Sequence, residues 1–543
     1  MYQPMIEAKA MSEVCIREFG GINETDTIKD NEFAALSNIS SHAAPYLATR
    51  PHRKRISAPQ GVTVKKILRM EGEDAVFTGL GELGGKVKFF YRSKCVKKDG
   101  TEDYQLETGS MAQLGGVVYL FPDGLYFDPE HAQEGLQSMT VKKSGTMVFS
   151  STEKKEVITN TISSVENASE FSKGDSIVIR GCSNEKNNTV SVDERANAVA
   201  RDDIVSVVVE KAEGNTLQVL CYNAMGEQVK FSPVTSACTI ERELPPLMHV
   251  CVHNNRVWGT EKGGKRIWAS KLGDAANFHV FAGLSTDSWW GEVASEGEFT
   301  GIVSYQSHVY AFKKHCIHEV YGDRPSNFKI PYTTKLGCTK GETVTEIDGV
   351  LYFSGIDGIY RYNGGLPENI SQKLTGQERF CAGETDGRRL YLALEDGGML
   401  VYDTRFAAWY QEDGAFSCFF REDGVLFAAG EDGIYCFGEG EEYISWEIKT
   451  KRMRPSTSLR RGIDSIWLRM ELAEGTRARV SICFDDRETT FCREIVSPIA
   501  QTMRVPVRMR KCDQVQVMLE GEGDMKLYAI EYRAANGGKN MFG

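Results

Sequence analysis

Few residues in this chain are spaced for chemistry. His315 and His318 flank Cys316 in a His-x-x-His arrangement that on paper suits a metal. Strand residues three apart point to opposite faces, so the pair shares an ion only across a bulge. His249 and His253 do share a face, but in an extended strand they lie about 13 Å apart, too far for one ion. Asp386, Asp396, Asp423 and Asp432 are carboxylates of the kind a propeller glycosidase would use, yet each is followed by glycine, which marks a turn. There is no Gly-x-Ser-x-Gly elbow, no P-loop, no dinucleotide fingerprint and no sialidase Asp-box. The reading is therefore no catalytic residue, no metal and no cofactor, and the protein is not read as an enzyme. Two clusters remain as candidate partner contacts. Arg50, Arg53, Lys54 and Arg55 form a basic run in an acidic chain. Trp289 and Trp290 end the phrase Ser285-Thr-Asp-Ser-Trp-Trp, expected in an inter-blade loop, where they would either anchor a partner or seal a blade junction.

The elements that must position these residues announce themselves between Gly341 and Phe437. Asp348-Gly349 and Asp357-Gly358, Asp386-Gly387 and Asp396-Gly397, and Asp423-Gly424 and Asp432-Gly433 punctuate short apolar and aromatic runs. Within each unit the turns lie 9, 10 and 9 residues apart, and the units themselves step by 38 and 37. Asp-Gly between such runs predicts type I′ hairpins, because both central residues need positive φ. A period near ~40 residues with several short strands per unit predicts β-propeller blades. The aromatic of the turn-then-apolar phrase recurs upstream at Tyr119, Trp258 and Tyr310, with one long step of 139 between the first two. That step is one blade plus ~100 residues, the size of a small inserted domain.

The expected fold is thus all-β, a propeller of about six blades carrying an inserted β-domain and followed by a β-sandwich. Residues 1–58 read as an extended N-terminal arm lying across the propeller, with scope for a closing strand. Residues 59–136 read as the first blade region, with turns at Gly81 to Gly85 and at Lys98-Asp99-Gly100. Residues 137–243 read as a separately folded, barrel-like insertion and 244–441 as the remaining blades. Residues 442–535 alternate cleanly, as in Ser465 to Leu472 and Gln514 to Leu519, and read as the C-terminal sandwich, with 536–543 a loose tail.

Composition narrows the classes. The 543 residues carry 75 acidic and 64 basic side chains, a net charge of −11, which is no footprint for gripping nucleic acid. The 14 cysteines are scattered with no Cys-x-x-Cys, so a reducing cytoplasm is the expected place of synthesis. Met1 to Cys15 carries Glu7, Lys9 and Glu13 and has no apolar core, so no signal peptide is predicted, and no run is long and apolar enough for a transmembrane helix.

Read in order, the phrases resemble a known family. Phe19-Gly-Gly-Ile-Asn23, Asn38-Ile-Ser-Ser41 and Pro45-Tyr-Leu-Ala-Thr-Arg-Pro51 are similar to the opening of tail nozzle and related neck or tail proteins of double-stranded DNA bacteriophages. Trp268-Ala-Ser-Lys-Leu-Gly-Asp274 with Asn277-Phe278, Tyr321-Gly322, Leu336-Gly-Cys338 and Gly355-Ile-Asp-Gly-Ile-Tyr-Arg-Tyr-Asn-Gly-Gly365 resemble their middle segments. Phe171 to Ile179 with Asn187-Asn188 resembles the β-domain these proteins insert, and Lys511-Cys-Asp513 with Leu519 to Gly523 their ending. The resemblance implies a virion tail protein assembled in the host cytoplasm. It would form a homo-oligomeric ring, typically hexameric, below portal and adaptor, with genomic DNA passing through without sequence-specific binding. It implies no catalytic residues. Two other classes stay open: a host-surface carbohydrate-binding or glycosidase-like tail protein, and a cellular propeller scaffold.

Overall fold

A computed structural model describes residues 11–56, 58–71, 76–99, 103–107, 110–154, 157–195, 200, 202–376, 379–452, 462–485, 488–505, 507 and 514–535. The chain is all-β and divides into two compact units, Met1–Val76 with Glu342–Gly543, and Phe77–Gly341.

The second unit contains three four-stranded antiparallel meanders. One runs through Ser110–Leu114, Val117–Phe121, Leu125–Phe127 and Gln137–Ser138, and the next through Leu247–His253, Arg256–Glu261, Arg266–Ala269 and Trp289–Glu292. The third runs through Phe299–Tyr305, His308–Lys313, Ile317–Val320 and Tyr332–Thr334. Strands Val76–Leu83, Lys86–Tyr91 and Lys94–Cys95 pair in a further set. The region expected to be a single blade therefore holds two sets of strands. Positive-φ turns at Gly84-Gly85, Arg92-Ser93 and Gly115-Gly116 divide it more finely than expected, and Arg92-Ser93 has no glycine to mark it.

Between the first two meanders lies a closed barrel of Val141–Lys154, Val157–Ser163, Thr216–Tyr222, Ser206–Glu213, Ser176–Arg180 and Val234–Arg242. Alternating residues fill it: Leu217, Val219 and Cys221 of one strand meet Ile177 and Ile179 of another, all buried. The barrel is tied to the following meander by specific bonds. Asn277 Oδ1 accepts from the Ser176 backbone N–H at 2.7 Å, and Asn277 Nδ2 donates to Asp175 Oδ1 at 3.2 Å. Lys271 Nζ donates to the Gly174 carbonyl, and Ser206 Oγ to that of His279.

The first unit repeats the meander in Thr345–Ile347, Val350–Ser354, Ile359–Tyr362 and Glu368–Asn369. A second, Phe416–Glu422, Val425–Gly430 and Gly433–Phe437, receives its fourth strand, Arg53–Ile56, from the N-terminal arm. A third, Phe380–Thr385 to Ala408–Glu412, continues through Phe33–Ser37 into Ser445–Thr450, Val515–Glu522, Arg477–Phe484 and Glu488–Ile495, making one nine-stranded sheet. A six-stranded sheet pairs Met525–Ala535 with Met11–Ile16, Leu47–Thr49 and Gly462–Leu472. The buried faces of both large sheets share one core, in which Ile448, Val480 and Leu519 meet Leu468, Leu527 and Ile530. The arm is accordingly woven into three sheets of its own unit. Its apolar residues Ile22, Phe33, Leu36, Ile39 and Leu47 are all buried there.

Of the six Asp-Gly turns only two take the expected geometry; at Asp386-Gly387 and Asp396-Gly397 the glycine alone has positive φ, at 96° and 92°. Asp348-Gly349 and Asp423-Gly424 have both φ positive, as a type I′ hairpin requires. Asp357-Gly358 and Asp432-Gly433 differ: the glycine alone is unusual, at φ 152° and 150°, and the aspartate accepts a tyrosine hydroxyl three residues on. These bonds, Tyr360 to Asp357 and Tyr435 to Asp432, are 2.6 Å each. The tyrosine in the Asp-Gly-Ile-Tyr phrase was legible; the second turn geometry was not, since dipeptide identity cannot separate the two.

Candidate functional site

The basic run sits where the arm strand crosses the edge of the Phe416–Phe437 meander. Strand alternation sends Arg53 inward and Lys54 outward. Arg53 Nη2 donates to Glu412 Oε2 at 2.7 Å, with side chains 3% and 1% exposed. Its Nη1 donates to the Asp413 carbonyl, and the guanidinium lies 4.8 Å from the Phe437 ring centre and 5.5 Å from that of Phe416. Arg50, also buried, donates through Nε to Asp413 Oδ1 at 2.8 Å and through Nη1 to Glu442 Oε1 at 2.5 Å. Burial works against its charge, but the bonds to Glu442 and the Asp413 carboxylate raise its pKa on balance. Burial likewise works against the Asp413 carboxylate, yet the Arg50 charge holds its pKa below the ordinary value. Lys54 and Arg55 are 59% and 60% exposed; Lys54 Nζ lies 3.4 Å from Glu439, and Arg55 Nε donates to the Asp432 carbonyl. All four cations thus meet acids of the same chain, Arg50 and Arg53 in the interior and Lys54 and Arg55 on the surface. The signal for the pairing was present in the acidic run Glu439, Glu441, Glu442, but nothing local tied it to Arg50.

Trp289 and Trp290 occupy a strand, not a loop, because Trp289–Glu292 is the outer strand of its meander. Both are half-buried. The Trp289 ring packs on Trp258 at 5.8 Å and Phe328 at 5.4 Å, closing the seam with the next meander. Trp290 lies 6.3 Å from Trp268, with the Arg266 guanidinium over it at 5.5 Å. The preceding loop is knotted from within. Arg256, buried, donates to the carbonyls of Ser270, Ser285 and Asp287, and Asp287 Oδ2 accepts from the Ala282 and Leu284 N–H groups. Burial raises the Asp287 pKa despite those bonds, and lowers that of Arg256. A hollow of about 490 Å³ lies beside the pair, bordered by exposed Met225 and Leu284.

His318 is buried, with Nε2 2.7 Å from Ser295 Oγ and 3.5 Å from Cys316 Sγ. His249 meets the Phe299 carbonyl and His253 the Ser304 hydroxyl. Among the described residues no group of three His, Cys, Asp or Glu side chains could hold a metal, and every described cysteine is free. Among them, too, no helix is long and apolar enough to cross a membrane. Asp386 Oδ1 accepts from the N–H groups of Arg388 and Arg389, the work of a turn residue.

No protein-family model matches the sequence, and no curated protein matches it. Among solved structures, the computationally designed Ika8 protein aligns at a TM-score of 0.34 and 9% identity, over 71% of this chain and 99% of its own. BamB from Moraxella catarrhalis aligns at 0.25 and 12%, over 45% and 83%. A gluconolactonase from Xanthomonas campestris aligns at 0.25 and 12%, over 55% and 98%. At these scores the likeness assigns neither fold nor activity to this chain.

Proposed function

We propose that this chain is a structural protein of a phage tail, the nozzle or a neck or tail hub component, built as a homo-oligomeric ring around the DNA exit channel. The observation that carries the reading is the run of family phrases from Phe19 to Gly523, which spans both units. In the same reading the four-stranded meanders are the propeller blades, about six in number, and the two large sheets of the first unit form the C-terminal β-sandwich. The turn role of Asp386 and Asp432 supports a structural over a hydrolytic protein, since their carboxylates serve the backbone and neighbouring tyrosines. The net charge of −11 suits a wall past which DNA slides, because fixed cations would bind phosphates and retard it. Lys54 and Arg55, exposed beside Glu439 and Asp432, are the cations of the run that an adaptor, a portal-proximal protein or a neighbouring copy would reach.

The test is cryo-electron microscopy of the virion, with mass spectrometry of purified particles. The expected result is a closed ring on the DNA axis with Lys54 and Arg55 at a protein contact. Absence of the chain from particles would refute the assignment, and a ring with both side chains in solvent would refute the contact.

A further inference from the structure

The outward face of the nine-stranded sheet carries a second kind of site. Over Arg477 to Val480 the burial alternates, with Ala478 and Val480 inside and Arg477 and Arg479 outside. At the end of Val515–Glu522, Leu519 is buried while Glu520 and Glu522 are exposed, which sets Glu520 outward beside them. Strand register then lines up two rows across the sheet. Glu447, Glu520, Arg479 and Glu494 make one, and Ser445, Glu522 and Arg477 the other. Over these rows lies a trough of about 780 Å³. Tyr443 and Phe491, 73% and 51% exposed, contribute aromatic rings to its lining.

The polar groups are held for use. Arg477 Nη1 rests 3.3 Å from Glu494 Oε1, and the Arg479 guanidinium lies 5.1 Å from the Phe491 ring centre. Glu520 and Glu522 make no ion pair among the described residues, leaving carboxylate oxygens open as acceptors. Three carboxylates, Glu494, Glu520 and Glu522, against two guanidinium groups line the trough and repel phosphate and nucleic acid. An apolar peptide would strip water from both rows without replacing their hydrogen bonds, which is costly. A basic peptide would meet Arg477 and Arg479 in the middle of its path. What suits alternating donors and acceptors with rings beside them is an uncharged, hydroxyl-rich chain. Its hydroxyls both donate and accept, and its apolar ring faces can cover an aromatic side chain.

We propose that this trough binds a neutral oligosaccharide through Tyr443, Arg477, Arg479, Phe491 and Glu520. The binding does not depend on the tail assignment, so the two fail separately. Isothermal titration of the full chain with maltohexaose, cellohexaose and N-acetylchitohexaose is the experiment, with hexalysine as the competing ligand class. Saturable binding of at least one saccharide is expected, weakened tenfold or more in both Tyr443→Ala and Glu520→Gln, and unchanged in Val425→Thr on another hairpin. Circular dichroism of each variant checks that the fold is kept, and a variant that loses it is replaced by Arg479→Gln, with the same loss expected. No saturable binding of any of the three, saccharide affinity unmoved by the trough variants, or tighter binding of hexalysine than of every saccharide would each overturn the proposal.

Discussion

Replacing Arg53 with alanine asks whether the arm is part of the fold. The guanidinium holds Glu412, whose side chain is 1% exposed and whose other oxygen, Oε1, has no hydrogen-bond partner. Removing one partner of such a pair strands the other charge in the interior, at a cost of about 3–5 kcal/mol. Loss of the bond to the Asp413 carbonyl and of the contacts with Phe416 and Phe437 acts in the same direction. Because two units melt in one chain, a global midpoint is a blurred measure. Hydrogen exchange read peptide by peptide is sharper. Protection of Gly433–Phe437, which pairs with Arg53–Ile56, should fall by about two to four powers of ten where exchange proceeds through opening of that strand pair. Lys54→Ala, on the solvent face of the same strand, should change it by no more than about 0.5 kcal/mol. A double-mutant cycle with Glu412→Ala should return a large coupling, since the second truncation removes the stranded charge. Unchanged protection in Arg53→Ala would refute the argument, as the strand would then be held by backbone bonds alone.

Two more outcomes test the turns and a buried histidine. Gly358→Val should destabilise more than Gly349→Val: a Cβ at 358 meets Ser371 Oγ at 2.5 Å and Asn369 Nδ2 at 2.6 Å, whereas one at 349 has open space and only the backbone strain of about 1–3 kcal/mol. Thermal unfolding should rank them so, with Gly349→Asn close to wild type; equal losses would show that strain, not the clash, dominates. Burial, helped by the Lys313 charge, pushes His318 down to about 4. The unfolded chain therefore takes up its proton first, near pH 6.5, so stability from this group is full above that pH, declines towards pH 4 and falls no further below it. In His318→Gln the urea midpoint should depend less on pH within that window; an unaltered pH dependence would mean the folded histidine titrates normally.

The sequence by itself determined the local grammar. Asp348-Gly349 and Asp423-Gly424 mark hairpins because positive φ at two successive residues suits few side chains, and all four residues adopt it. Alternation in Ser465 to Leu472 and in Gln514 to Leu519 likewise marked strands, because the strand period is two, although Ser465 and Gln516 on their polar faces are buried as well. Where each strand finds its partner was decided only in three dimensions. Arg53 and Glu412 stand 359 positions apart, and no pattern within either segment names the other. The same holds for Phe33–Ser37, which joins a meander to Ser445–Thr450, and for Trp289, read as loop but held in a strand by pairing with Ala269. The trough, too, exists only because register sets Glu520 beside Arg479 and Arg479 beside Glu494. Turn chemistry acts over four residues and is written locally. Pairing, register and the burial of charge depend on segments hundreds of residues apart meeting, and only the tertiary structure brings them together.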